Sequence, residues 1–232
     1  MDMLELNRKL TGRKGNSKSL EVVEPLLDKV NEISNLYNEK WIKKIIPHWS
    51  FLPSAGKEIS IAPIFNQAVE SAYILSNSDY FPCSEVTIKR SGTSSGKGHL
   101  DLALVSRKKI IAIEMKYRRM TIKGQSDSII SNVIEEITNQ LKSIEFLADI
   151  DKKIENLGIL ILSIRSPSDC ISIDEVSLKV NKIISFLKND SEGKELTEDF
   201  SYHFQIWDTP HRVNSKSKSF SYGNLLVAFR PQ

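Results

Sequence analysis

The stretch Gly98-His99-Leu100-Asp101-Leu102-Ala103-Leu104-Val105, the turn Ser106-Arg107-Lys108-Lys109, and the run Ile110-Ile111-Ala112-Ile113-Glu114-Met115-Lys116-Tyr117-Arg118-Arg119 together read as two short β-strands joined by a polar loop. Asp101 stands near the start of the first strand, and Glu114 and Lys116 stand inside the second. Strand side chains alternate between faces, so Glu114 and Lys116 share one face and Met115 takes the other. A carboxylate and an ammonium within an aliphatic run lose hydration that only partners or a metal restore. With Asp101 on the adjacent strand, a metal site is the sharpest expectation. The plain alternative is a salt bridge between Lys116 and the two acids, although a buried pair of that kind adds little net stability.

Working outward, the 232 residues are 40% hydrophobic and 26% charged, which suits one sizeable core with an appended helical element and excludes a disordered or fibrous chain. A net charge of +3 permits a nucleic-acid partner without arguing for one. Two isolated cysteines, Cys83 and Cys170, exclude a disulfide framework or a zinc cluster and point to a reducing setting. No apolar run approaches the roughly 20 residues that span a bilayer, and the first residues lack a signal-peptide core. The expectation is a cytoplasmic protein with no membrane partner.

Upstream of the hairpin, residues 8–19 hold Arg8, Lys9, Arg13, Lys14 and Lys18 among Gly, Asn and Ser, a solvated tail or a basic arm for phosphates. Apolar residues at three- and four-residue steps over 20–46 predict an amphipathic helix, with Ser19 as its cap and Pro25 near its first turn. Its stripe suits packing on the same chain or on a second subunit. A second helix is predicted over 59–75, with Leu75 on its buried face and Glu70 at the border of the stripe, and a strand over 85–90. Residues 91–98 are Gly- and Ser-rich, but the spacing of the phosphate loop is absent and Gly98 stands where its Ser or Thr belongs, which excludes a nucleoside-triphosphate loop.

Downstream, a long helix is predicted over 128–148, with Ile130, Val133, Ile134, Ile137 and Leu141 inward and Gln140 beside them. Residues 157–164 form the continuous aliphatic run of a strand buried on both faces. A helix over 174–187 and strands over 200–207 and 222–229 complete the chain, with a polar loop holding His211, Arg212, Lys216 and Lys218 between the last two. The order α-β-β-β-α-β-α-β-β argues one mixed α/β domain over 57–232, preceded by a basic tail and helical arm over 1–56.

Asp101, twelve intervening residues, and Glu114-Met115-Lys116 at the end of an aliphatic strand resemble the PD-(D/E)xK nuclease superfamily, whose core is restriction-endonuclease-like. The resemblance covers about residues 59–164. Leu100 stands where the family usually has Pro. The resemblance implies a central mixed sheet flanked by helices, and a hydrolase acting on phosphodiester bonds. It implies Mg²⁺, with Mn²⁺ as a substitute, held by Asp101, Glu114 and a backbone carbonyl near Met115, with Lys116 orienting the attacking water. Glu70 matches a helix carboxylate that some members use for the metal, and Gln140 more loosely matches a helix Gln; Ile144 replaces the Tyr that often follows it.

His99 shares a face with Asp101, as a hydrogen-bonded strand histidine or as a contact to phosphate. Tyr117, Arg118, Arg119 and Lys123 follow the proposed site, and with Lys97, Arg212, Lys216 and Lys218 they form basic segments that a phosphate backbone could follow. Three functions stay open: a DNA endonuclease of the restriction, phage-defence or repair type; a catalytically inactive nucleic-acid-binding or assembly protein on the same fold; and an RNA-directed endonuclease. A homodimer through the 20–46 helix is the expectation that would allow double-strand cleavage.

Overall fold

The computed structural model describes residues 9–36, 58–90, 97–124, 126–145, 152–167, 171–188, 197, 199–212 and 220–231. Among the described residues, an eight-stranded mixed sheet carries two helices on each face. In chain order the elements are β1 (Lys9–Lys14), α1 (Lys18–Leu36), α2 (Glu58–Val69) with a π-helical turn (Glu70–Ile74), β2 (Phe81–Arg90), β3 (Lys97–Val105), β4 (Lys109–Thr121), α3 (Asp127–Lys142), β5 (Ile144–Glu145), β6 (Lys153–Ser166), α4 (Ile173–Lys188), β7 (Phe200–Arg212) and β8 (Phe220–Phe229). The strand order across the sheet is β1-β7-β8-β6-β4-β3-β2-β5. β4 and β6 are parallel, and α3 makes the crossover that a parallel pair requires. Every other pairing is antiparallel.

The aliphatic run in β6 makes it the central strand: every residue from 157 to 166 is buried. Leu160, Leu162 and Ile164 pack beneath α3 and α4, while Leu157, Ile159 and Ile161 pack beneath α1 and α2. The inward stripe of α3 is the predicted one. At Gly158 the chain has no room for a side chain, because an added Cβ would meet the Phe229 ring at 2.4 Å and an Ile137 methyl at 2.7 Å. No described helix is long and apolar enough to cross a membrane.

Several local expectations change. Residues 9–14, expected in a tail, pair antiparallel with β7, and Arg13 bonds Glu21 and the Ser17 carbonyl. The α1 stripe Leu20, Val23, Leu26, Leu27 and Val30 is fully buried against the chain's own sheet and α2, so from Leu20 to Val30 the apolar face that suggested a dimer is already covered, while Leu36 at the helix end is 41% exposed. The continuation of that helix over 37–46 lies outside the described residues. Ser19 is not the cap: it lies inside α1, and its hydroxyl bonds Glu155 at the foot of β6. Because α1 begins at Lys18, Pro25 sits beyond the first turn, on the exposed side.

The π-helical turn corrects the end of the second predicted helix. Its wider winding, marked by the Leu75 N–H bond to the Glu70 carbonyl, inserts one residue into the 3.6-residue phase. Tyr73 therefore enters the core, and Leu75, expected inside, is 70% exposed. β2 starts earlier than predicted and includes Pro82. Among the described residues β5 pairs with β2 only at Lys89 and Arg90, so at Pro82 β2 is an edge strand, the position in a sheet that tolerates proline. α3 ends at Lys142 rather than near 148, because Ile144 and Glu145 turn off to pair with β2.

Candidate active site

β4 is a strand with two characters. Its first half, residues 110–113, is paired on both sides, with β3 and with β6. The β3–β4 ladder ends at Leu102↔Ile113, although both strands continue: β3 stays with β2 back to Lys97, and β4 stays with β6 to Thr121. The two strands fork there, and Asp101 and Glu114 are the first residues past the last rung. Counted outward from Ala112, Glu114 falls on the face covered by α3, while Asp101 stands where β3 changes face. The Asp101 carboxylate reaches across the fork and accepts the Met115 backbone N–H at 2.6 Å, replacing the ladder bond that β3 no longer offers.

The fork coincides with an irregularity in both outer strands. Leu100 and Ala103 pack into the same core while Leu102 packs on the other face, so β3 rotates about Asp101. In β2 the rungs Ser84↔Leu102 and Val86↔Leu100 flank Glu85, whose φ of 53° lies in the left-handed region. For a residue with a Cβ that conformation costs about 1–2 kcal/mol. The unfavourable backbone therefore sits directly across from Asp101, as is common beside functional sites.

Glu114 is 3% exposed, so its ionised form depends on compensating partners. Lys116 Nζ stands 3.9 Å from Glu114 Oε1 and 3.9 Å from Oε1 of Glu136 on α3. Arg118, next on the same face, donates to Glu136 Oε2 at 2.7 Å. The row Glu114, Lys116, Arg118 thus alternates with Met115 and Tyr117, which enter the opposite core, as the strand pattern predicts.

Of the residues singled out in the sequence, the fold brings Asp101, Glu114, Lys116 and the Met115 backbone together. Gln140 is half-buried on α3, one turn beyond Glu136 on the same stripe. Glu70 is exposed and opens the π-helical turn on the other face of the sheet, where α2 packs. Among the described residues, no three His, Cys, Asp or Glu side chains gather as a metal-binding group, so Glu70 does not complete a carboxylate triad with Asp101 and Glu114.

Lys97 and His99 are exposed on β3, opposite Lys89 and Thr87. Tyr117 presents no surface to a nucleic acid: it is 5% exposed and its hydroxyl accepts a bond from the buried Arg165 at 3.0 Å. Burial pulls the Arg165 guanidinium below its ordinary range, with Tyr117 opposing that shift and the nearby Arg119 charge adding to it. Arg119 is exposed past the core, and Lys123 lies with Lys179 and Lys182 along an open cleft between the β4–α3 turn and α4. Arg212 ends β7, separated from β4 by β8 and β6, and its side chain, with Lys216 and Lys218, lies outside the described residues.

Sequence reading missed Glu136. The available signal was its place four residues before Gln140, on the same side of the helix. No protein-family model matches the chain, and no curated protein sequence matches it significantly.

Proposed function

We propose that the protein is a Mg²⁺-dependent nuclease that hydrolyses phosphodiester bonds in DNA, acting as an endonuclease on a restriction-endonuclease-like core. The observation that carries this reading is the convergence of Asp101, Glu114 and Lys116 where β3 leaves β4. Two carboxylates offering hard oxygens suit Mg²⁺, which binds through one or two such groups and keeps several waters. Asp101 and Glu114 would hold the ion, and Mn²⁺ accepts the same donors. When bound, the metal supplies Lewis-acid polarisation of the phosphate and a lowered pKa for its water.

The chain's own residues contribute charge and orientation. Lys116, 15% exposed and held between two acids, aims an ammonium at the place where negative charge grows on the phosphoryl oxygens, and it orients the attacking water by hydrogen bonding. One P–O bond forms to that water and one breaks to the departing sugar oxygen. Arg118 extends the positive row along the cleft, where a guanidinium grips a neighbouring phosphate through its fork of donors. The aliphatic core under Ala112 and Ile113 keeps one side of the site dry.

A second reading, nucleic-acid binding without catalysis on the same core, draws on the separation of Glu70 from the other two carboxylates. RNA as the substrate draws on His99, exposed two residues from Asp101. Incubating the protein with plasmid, linear and single-stranded DNA and with RNA, in Mg²⁺, Mn²⁺ or EDTA, separates the three. The nuclease reading requires metal-dependent products. Metal-dependent products from RNA alone favour the RNA reading, and nucleic acid retained without products, with no Mg²⁺ or Mn²⁺ bound in calorimetry, favours the binding reading.

A further inference from the structure

Glu136 has a geometry that the catalytic reading leaves unused. Its two carboxylate oxygens bridge two cations of β4: Oε1 stands 3.9 Å from Lys116 Nζ and Oε2 stands 2.7 Å from Arg118 Nη2. The side chains of Glu136 and Arg118 are 42% and 33% exposed, so this end of the row opens to solvent. At its inner end Lys116 also faces Glu114, whose side chain is only 4% exposed. One anion is therefore fixed in the sheet and the other is presented from a helix surface.

A phosphodiester carries one negative charge on two terminal oxygens, the same charge and bidentate form as a carboxylate. Arginine recognises both groups with the same fork. An exposed ion pair is worth little, so an incoming phosphate displaces Glu136 at small cost, whereas Glu114 has no comparable exit to water. We propose that the Glu136 carboxylate occupies the seat of a substrate phosphate between Lys116 and Arg118, and that a nucleic-acid strand engages β4 by displacing it. This rests on the nuclease reading for the identity of the ligand, and it adds a built-in competitor that lowers affinity for any phosphate backbone.

The test uses the full chain, a labelled 20-base-pair DNA duplex and EDTA, with affinity read by fluorescence anisotropy. Glu136→Gln keeps the shape and removes the competing charge. Glu135→Gln changes net charge equally at an exposed neighbour that makes no ion pair with Lys116 or Arg118 among the described residues. The expected result is a duplex affinity about three- to five-fold tighter for Glu136→Gln and unchanged for Glu135→Gln. Unchanged or weaker binding by Glu136→Gln, or equal tightening by both variants, overturns the proposal, the latter because general charge then explains the effect. Wild-type cleavage in Mg²⁺ is scored separately. Cleavage without tightening sinks the phosphate seat and keeps the nuclease, while tightening without cleavage keeps the seat and sinks the nuclease.

Discussion

β4 and β6 lie side by side, parallel and in register, yet at the same height they carry opposite chemistry. Glu114, Lys116 and Arg118 stand opposite Gly158, Leu160 and Leu162. All six are on the face beneath α3, and all belong to the middle of one sheet. The difference is lateral. β6 keeps both neighbours, β4 and β8, along this length, whereas β4 loses β3 beyond Ile113. A charged row is tolerable on β4 because past the fork it finds polar partners, with Lys116 between Glu114 and Glu136 and Arg118 on Glu136, whereas the same positions on β6 lie between two intact ladders. At this height the two central strands differ in the continuity of their neighbours.

The largest effect belongs to β6. Leu160 is fully buried opposite Lys116, and Leu160→Ala should cost about 2–5 kcal/mol in a denaturant melt. A loss below 1 kcal/mol would mean that β6 is no better packed than its charged neighbour. The next effect belongs to β4. Lys116→Met alone leaves the buried Glu114 without that cation and should cost about 1–3 kcal/mol. Adding Glu114→Gln should return the melt to near wild type, because an apolar–amide pair needs no charge compensation. If the double variant is the less stable one, the pair is a structural salt bridge.

The smallest effect lies at the foot of the two strands, where Glu155 of β6 bonds Lys109 of β4 at 3.2 Å and Lys153 at 2.9 Å. Burial raises the Glu155 pKa, but hydrogen bonds from Lys153 and Lys109 outweigh it and hold the carboxyl below its ordinary value. A depressed folded-state value contributes stability that is present above the unfolded carboxylate range and is lost as pH falls through the folded value. Glu155→Gln should therefore flatten the acid limb of stability against pH, by about 1 kcal/mol or less for a half-buried network at the end of the strands. An unchanged limb would remove the ion pair from the account.

Much of this was legible in the chain because it depends on local period. The aliphatic run of β6, the inward stripe of α3 and the shared face of Glu114 and Lys116 each follow from side-chain spacing alone. β1 was not legible, because Lys-Leu-Thr-Gly-Arg-Lys has no alternation and its place comes from pairing with β7. The phase of α2 failed at Glu70, since a π-helical turn leaves no mark in a 3.6-residue pattern. The fork at Asp101, the left-handed Glu85 and the Glu136 bridge arise from how β2, β3 and α3 meet β4, which spacing along one strand does not encode.

The most direct measurement is plasmid cleavage in Mg²⁺ by the wild type, by Glu114→Gln, and by the Glu114→Gln/Lys116→Met double variant, with melts run alongside. The wild type should give metal-dependent products, both variants should fall by at least about 10²–10³-fold, and the double variant should melt near the wild type. Undiminished Mg²⁺-dependent cleavage by Glu114→Gln would contradict the assignment of Glu114 to the site.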